Sequence, residues 1–121
     1  MLDANQIAER YIATWNESDP RKRAELLQEN WIGESCYVDP IAKAVGREDI
    51  GRLIGGVQQR FPGFGFTLKG TPDGYGECVR FSWSLGPSGV EAPIEGSDVL
   101  VMSEGRIARV IGFLDKVPAP A

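Results

Sequence analysis

The chain has 121 residues, 42% of them hydrophobic and 25% charged, which is the make-up of one globular domain and not of a disordered or fibrous chain. Its net charge of −4 supplies no basic field for nucleic acid or for an anionic membrane surface. There is no histidine, so Ser-His-Asp hydrolysis, Cys-His proteolysis and most zinc chemistry are excluded, and proton transfer falls to carboxylates, tyrosines or lysines.

No apolar run approaches the ~18 residues of a membrane span, and Met1–Asn16 lacks the basic and apolar regions of a signal peptide. Cys36 and Cys78 have no metal-binding spacing and read as reduced thiols of a cytoplasmic protein. Asp3-Ala4-Asn5-Gln6 has the form of a capping box. Behind it Ile7, Ala8, Tyr11, Ile12 and Trp15 recur at helical spacing, which predicts a first helix to about Asn16. Asp19-Pro20 starts a second helix, with an acid at the cap and proline at the first helical position. That helix runs to about Glu29, burying Ala24, Leu27 and Trp31 just beyond it, with Arg21, Lys22 and Arg23 on its polar face. A short strand over Cys36–Asp39 follows.

A third helix opens near Gly46-Arg47-Glu48, carries Ile50, Leu53, Ile54, Val57 and Phe61 on one stripe, and ends at Pro62. Gly55-Gly56 within it costs about 1 kcal/mol per glycine against alanine. Either close packing or a bound molecule must need the space. Beyond it the period becomes two: Phe64, Phe66 and Leu68, then Val79, Phe81, Trp83 and Leu85, alternate with polar or small residues. Pro72-Asp73-Gly74, Gly86-Pro87-Ser88-Gly89 and Ser103-Glu104-Gly105 mark turns, and Ala92–Met102 and Arg106–Leu114 are the last strands. Residues 1–116 therefore form one domain and 117–121 a flexible tail. All helices fall on one face of a mostly antiparallel sheet, an α+β arrangement. Strongly curved around three helices, that sheet encloses a cone-shaped pocket.

Three residues stand out as candidates for chemistry. Asp39 ends the short strand in Tyr37-Val38-Asp39-Pro40, where it is either a turn acid capping the next segment or a site carboxylate. Asp98 opens the apolar run Val99-Leu100-Val101-Met102. Tyr11 lies on the buried stripe of the first helix.

The order of elements, with Arg10-Tyr11, Tyr37-x-Asp39-Pro40, Gly46-Arg47-Glu48-Asp49-Ile50, Phe61-Pro62-Gly63 and Asp98…Gly105-Arg106-Ile107, resembles a SnoaL-like protein of the nuclear-transport-factor-2-like, cystatin-like superfamily. Its site pattern resembles ketosteroid isomerase. That resemblance implies Asp39 as general base, Tyr11 and a protonated Asp98 as donors to a forming enolate, and no metal or cofactor. Around the last acid, Ala92-Pro93-Ile94-Glu95 nominates Glu95 instead, whereas counting back from the hairpin nominates Asp98, which is preferred. The bracing tyrosine that the family can carry on the third helix corresponds to Ile54 here.

The resemblance further implies a small hydrophobic, steroid- or polyketide-like ligand among Trp15, Tyr37, Ile54, Val57, Phe61, Phe81, Trp83, Leu100 and Phe113. Catalysis by acid–base isomerisation or cyclisation and non-catalytic binding of a lipophilic ligand both fit that pattern. Val99 and Val101 would face outward, so a homodimer through the outer sheet face is expected, with no nucleic-acid or membrane partner.

Overall fold

A computed structural model describes residues 2–118 of the chain. Helix α1 (Ala4–Asn16) begins at the expected capping box: Asp3 accepts from the Gln6 amide, and the Gln6 side chain accepts from the Asp3 amide. Helix α2 (Pro20–Asn30) starts at Asp19, whose carboxylate accepts from the Arg21 amide. Strands β1 (Trp31–Val38) and β2 (Lys43–Val45) precede helix α3 (Arg47–Arg60), and β3 (Gly65–Tyr75), β4 (Cys78–Gly86), β5 (Ile94–Ser103) and β6 (Arg106–Lys116) complete the chain. No helix among the described residues is long and apolar enough to cross a membrane.

The six strands form one sheet in the order β2-β1-β6-β5-β4-β3, antiparallel except where β1 runs parallel to β6. Register shifts interrupt the β1–β6, β3–β4 and β5–β6 ladders. Such irregularities bend strands and raise their twist, which curls the sheet around the helices. The architecture is α+β, as the element order implies.

Several local readings change. The first strand is longer than Cys36–Asp39, because Trp31 already pairs with Ile107. The three-residue β2 went unread between the turn at Asp39-Pro40 and α3. Pro72-Asp73-Gly74 is not a turn but part of β3. That strand lies at the sheet edge, where proline is tolerated, and its bulge between Lys69 and Asp73 absorbs the irregularity. The hairpin turn falls instead at Gly76-Glu77, where Gly76 has φ of 55°.

In α2 Leu27 is buried as expected, but Arg23, 8% exposed, is buried with it while Ala24 is exposed. The Arg23 guanidinium donates to the Glu17 carbonyl at 2.8 Å and to Gln58 Oε1 at 3.1 Å. A Cβ on Gly55 would lie 3.0 Å from that guanidinium, whereas one on Gly56 would meet nothing within 4 Å. The first glycine thus serves helix packing, and the second opens onto the cavity described next.

Candidate functional site

The helices and the inner face of the sheet enclose a cavity of about 450 Å³, within the range of small-molecule sites. Strand pairing fixes which residues of the sheet point inward. Phe81, Asp98 and Gly112 stand opposite one another on β4, β5 and β6, so all three point to the same side. One residue beyond the end of β1, Asp39 approaches the same row. A Cβ on Gly112 would come 2.9 Å from Asp98 Oδ1, 3.2 Å from Asp39 Cβ and 3.6 Å from the Tyr37 hydroxyl. The missing side chain at Gly112 is the space in which these groups meet.

Two tyrosine–aspartate pairs occupy the cavity floor. The Tyr11 hydroxyl, carried by the buried face of α1, donates to Asp98 Oδ2 at 2.6 Å. The Tyr37 hydroxyl donates to Asp39 Oδ2 at 2.5 Å, while Asp39 Oδ1 accepts from the Ile41 and Ala42 amides at 2.9 and 2.8 Å. Asp39 is therefore a turn acid that also lines the cavity. Its position is fixed by three donors.

Asp98 is 3% exposed. Desolvation pushes its carboxyl from 3.8 up to about 6, helped by the charges of Asp39 and Asp115 and opposed by donors on Tyr11 and Trp83. Burial also drives both tyrosine hydroxyls far above their ordinary value, with the neighbouring aspartates adding to the effect. Both stay protonated throughout the working pH range and act only as neutral hydrogen-bonding groups.

Glu95 is excluded from this cluster by strand alternation. It lies on the outer side of β5 and pairs with Lys69 at 2.9 Å, and the hydrogen bond from Lys69 holds its carboxyl below the usual value.

Of the expected wall residues, Trp15, Tyr37, Val57, Phe61 and Trp83 line the cavity. Ile54, Phe81 and Leu100 do not. They are 0%, 2% and 0% exposed and belong to the packed core behind it; the Phe81 ring meets Tyr11 edge-on at 5.2 Å. Phe113 borders the cavity, but it alternates with the inward Gly112, and its side chain is 53% exposed. The Trp83 indole packs closely against Gly96, where a Cβ would come within 2.2 Å of the ring.

Sequence reasoning missed Gly112, Leu85, Ile94 and Arg60 among the lining residues. Leu85 and Ile94 were within reach, since they keep the alternation of Trp83 and Asp98, whereas Gly112 was hidden because the sequence reading places Phe113, its neighbour of opposite parity, inward. Val117 and Pro118 also line the mouth, so the start of the expected tail borders the site; residues 119–121 lie outside the described chain.

The sequence model of the SnoaL-like domain matches residues 8–110. The chain belongs to the SnoaL-like domain family. It is 42% identical to a candidate isomerase of this family from Agrobacterium tumefaciens, over 93% of this chain and 97% of that one, with a TM-score of 0.89. A candidate ketosteroid isomerase from Kribbella flavida matches at 21% identity over 98% and 82% of the two chains, with a TM-score of 0.71. A candidate polyketide cyclase from Sinorhizobium meliloti matches at 14% identity over 92% and 99%, also with a TM-score of 0.71. The last two likenesses are of fold alone. No curated protein matches the sequence.

Proposed function

We propose that the cavity binds a small hydrophobic carbonyl compound and moves a proton next to its carbonyl without a cofactor. The observation that supports this best is the meeting of Tyr11–Asp98 and Tyr37–Asp39 at the Gly112 gap. The carbonyl oxygen sits against Tyr11 and Asp98. Asp39 takes a proton from the adjacent carbon, and the resulting enolate oxygen is stabilised by hydrogen bonds from Tyr11 and a protonated Asp98. Return of the proton to another carbon of the same enolate completes an isomerisation with no net change in atoms. Base positioning of this kind contributes roughly 10²–10⁴ in rate, and one oxyanion donor about 3 kcal/mol.

With its carboxyl near 6, Asp98 can ionise near neutral pH before a ligand binds, and it accepts from Tyr11. A lipophilic ligand excludes water from the floor, which disfavours the charged form further. Binding therefore takes up a proton and turns Asp98 into a donor.

The identity with the candidate isomerase from Agrobacterium supports the catalytic reading. A second reading, binding without turnover, is favoured by Asp39 itself, because the Tyr37 hydroxyl and the Ile41 and Ala42 amides already engage both of its oxygens. We also propose a homodimer through the outer sheet face, where Val38, Ile111 and Val99 form one half-buried row across β1, β6 and β5. The two free cysteines are in keeping with a cytoplasmic location.

Hydrogen–deuterium exchange at the α-carbon of a bulky cyclic ketone such as 2-tetralone, followed by NMR, separates the two readings. Acceleration by the protein and its loss in Asp39→Asn, with ketone binding retained, is the expected result. Exchange at the buffer rate with the ketone demonstrably bound would leave a non-catalytic binder.

A further inference from the structure

The charged groups of the cavity are distributed unevenly. Both acids lie on the floor, where Asp98 is 3% exposed, while Ile41 at 81% and Val117 at 58% mark the open rim. Among the described lining residues one cation occurs, Arg60, the exposed last residue of α3. The described ion pairs engage Arg52, Lys69, Arg80 and Lys116, and leave Arg60 without a carboxylate. Arg23 and Arg47 are bound to backbone carbonyls away from the cavity. Arg60 is thus a guanidinium at the mouth of an apolar cavity, on a wall that α3 carries from Leu53 for about 10 Å at 1.5 Å per residue.

A guanidinium binds carboxylate, sulfonate or phosphate through paired N–H groups. On the floor, Asp39 and Asp98 repel any such anion. The two ends of the cavity therefore select opposite ends of one ligand: an uncharged acceptor goes inward and an anionic group stays at the rim.

Resting on the reading of the cavity as a lipophilic site, we propose that Arg60 makes it a receptor for a lipophilic acid, a compact apolar body with one anionic substituent held outward. A purely structural Arg60 would do no more than complement the negative C-terminal end of α3. That role would leave ligand charge without effect.

Two fluorescent probes distinguish these roles: 8-anilinonaphthalene-1-sulfonate and the uncharged N-phenyl-1-naphthylamine, which share one body and differ by the sulfonate. Both are expected to bind and to compete. In Arg60→Gln the sulfonate should bind about five- to tenfold more weakly, as expected for losing a partly desolvated charge-assisted contact. The neutral probe should change less than about twofold, and Arg60→Lys should fall between the parent and Arg60→Gln for the sulfonate, because it keeps the charge but loses the paired N–H groups.

Equal losses for both probes, no loss for either, or failure of the two to compete would overturn the proposal and leave the lipophilic cavity standing. Failure of the neutral probe to bind the unmodified protein would remove the cavity reading and this inference together. Because Arg60 is exposed, its variants should keep the unfolding midpoint of the parent, and binding can be compared directly.

Discussion

Replacing Asp98 by asparagine tests the electrostatics of the floor without disturbing its shape, since asparagine can still accept from Tyr11. The carboxyl of Asp98 lies at about 6 in the folded chain against an ordinary 3.8, chiefly through desolvation. At about 1.4 kcal/mol per pH unit, that displacement is worth about 3 kcal/mol. Below pH 3.8 both folded and unfolded chains carry the proton, and the ionised form imposes no cost. As pH rises above 3.8 the unfolded chain ionises freely while the folded chain holds the proton until about 6. Stability therefore falls across that window and levels off above it.

Other carboxylates titrate in the same range, so the informative quantity is a difference. The stability of Asp98→Asn minus that of the unmodified chain, taken at fixed protein concentration, should rise by about 2.5 kcal/mol between pH 4 and pH 8, because the unfolded carboxyl is already partly ionised at pH 4. Urea unfolding followed by tryptophan fluorescence at intervals over this range would measure it; as a thermal midpoint the change is roughly 10 °C for a chain of this size. The groups around Asp98 are Tyr11 on α1, Tyr37 on β1, Asp39 just after it and Trp83 on β4, while Asp115, which accepts from Ser97 on the other side of β5, acts on it only through its charge. A difference that stays level within about 0.5 kcal/mol, or that falls with pH, would mean that Asp98 is solvated or paired with a cation. Its part in the proposed mechanism would then be lost.

Two further substitutions follow from the glycines of α3. Gly56→Ala should stabilise the fold by about 0.5–1 kcal/mol through helix propensity, because a Cβ there meets nothing within 4 Å. Gly55→Ala should gain nothing or lose stability, since its Cβ presses on the Arg23 guanidinium at 3.0 Å; equal gains in thermal unfolding would refute this account of the pair. The homodimer should appear in sedimentation at micromolar concentration, and a 13.2 kDa species alone would dismiss it.

Elements whose signals are local were legible in the sequence. The capping box at Asp3, the proline start of α2, the stripe on α3 and the alternation through β4 all concern neighbouring residues, and each formed as expected. What the sequence concealed was set by residues distant along the chain. Arg23 is buried because Gly55, on another helix, leaves room for it, and because Glu17 and Gln58 supply acceptors. No period within α2 carries that information. Pro72-Asp73-Gly74 has the composition of a turn, yet pairing of Asp73 with Arg80 and Gly74 with Val79 draws it into the edge strand.

The same division runs through the site. Parity along β5 separates Asp98 from Glu95, and counting from the Ser103–Gly105 hairpin was sufficient to choose between them. Depth was harder to read. Ile54, Phe81 and Leu100 face inward as periodicity requires, but inward residues on a curved sheet divide into those that meet the helices and those that meet empty space. That division depends on where a neighbour is absent. Gly112 shows the point most directly: it lacks a side chain, stands opposite Asp98 on the next strand, and by that absence lets two carboxylates and two phenols share one small volume.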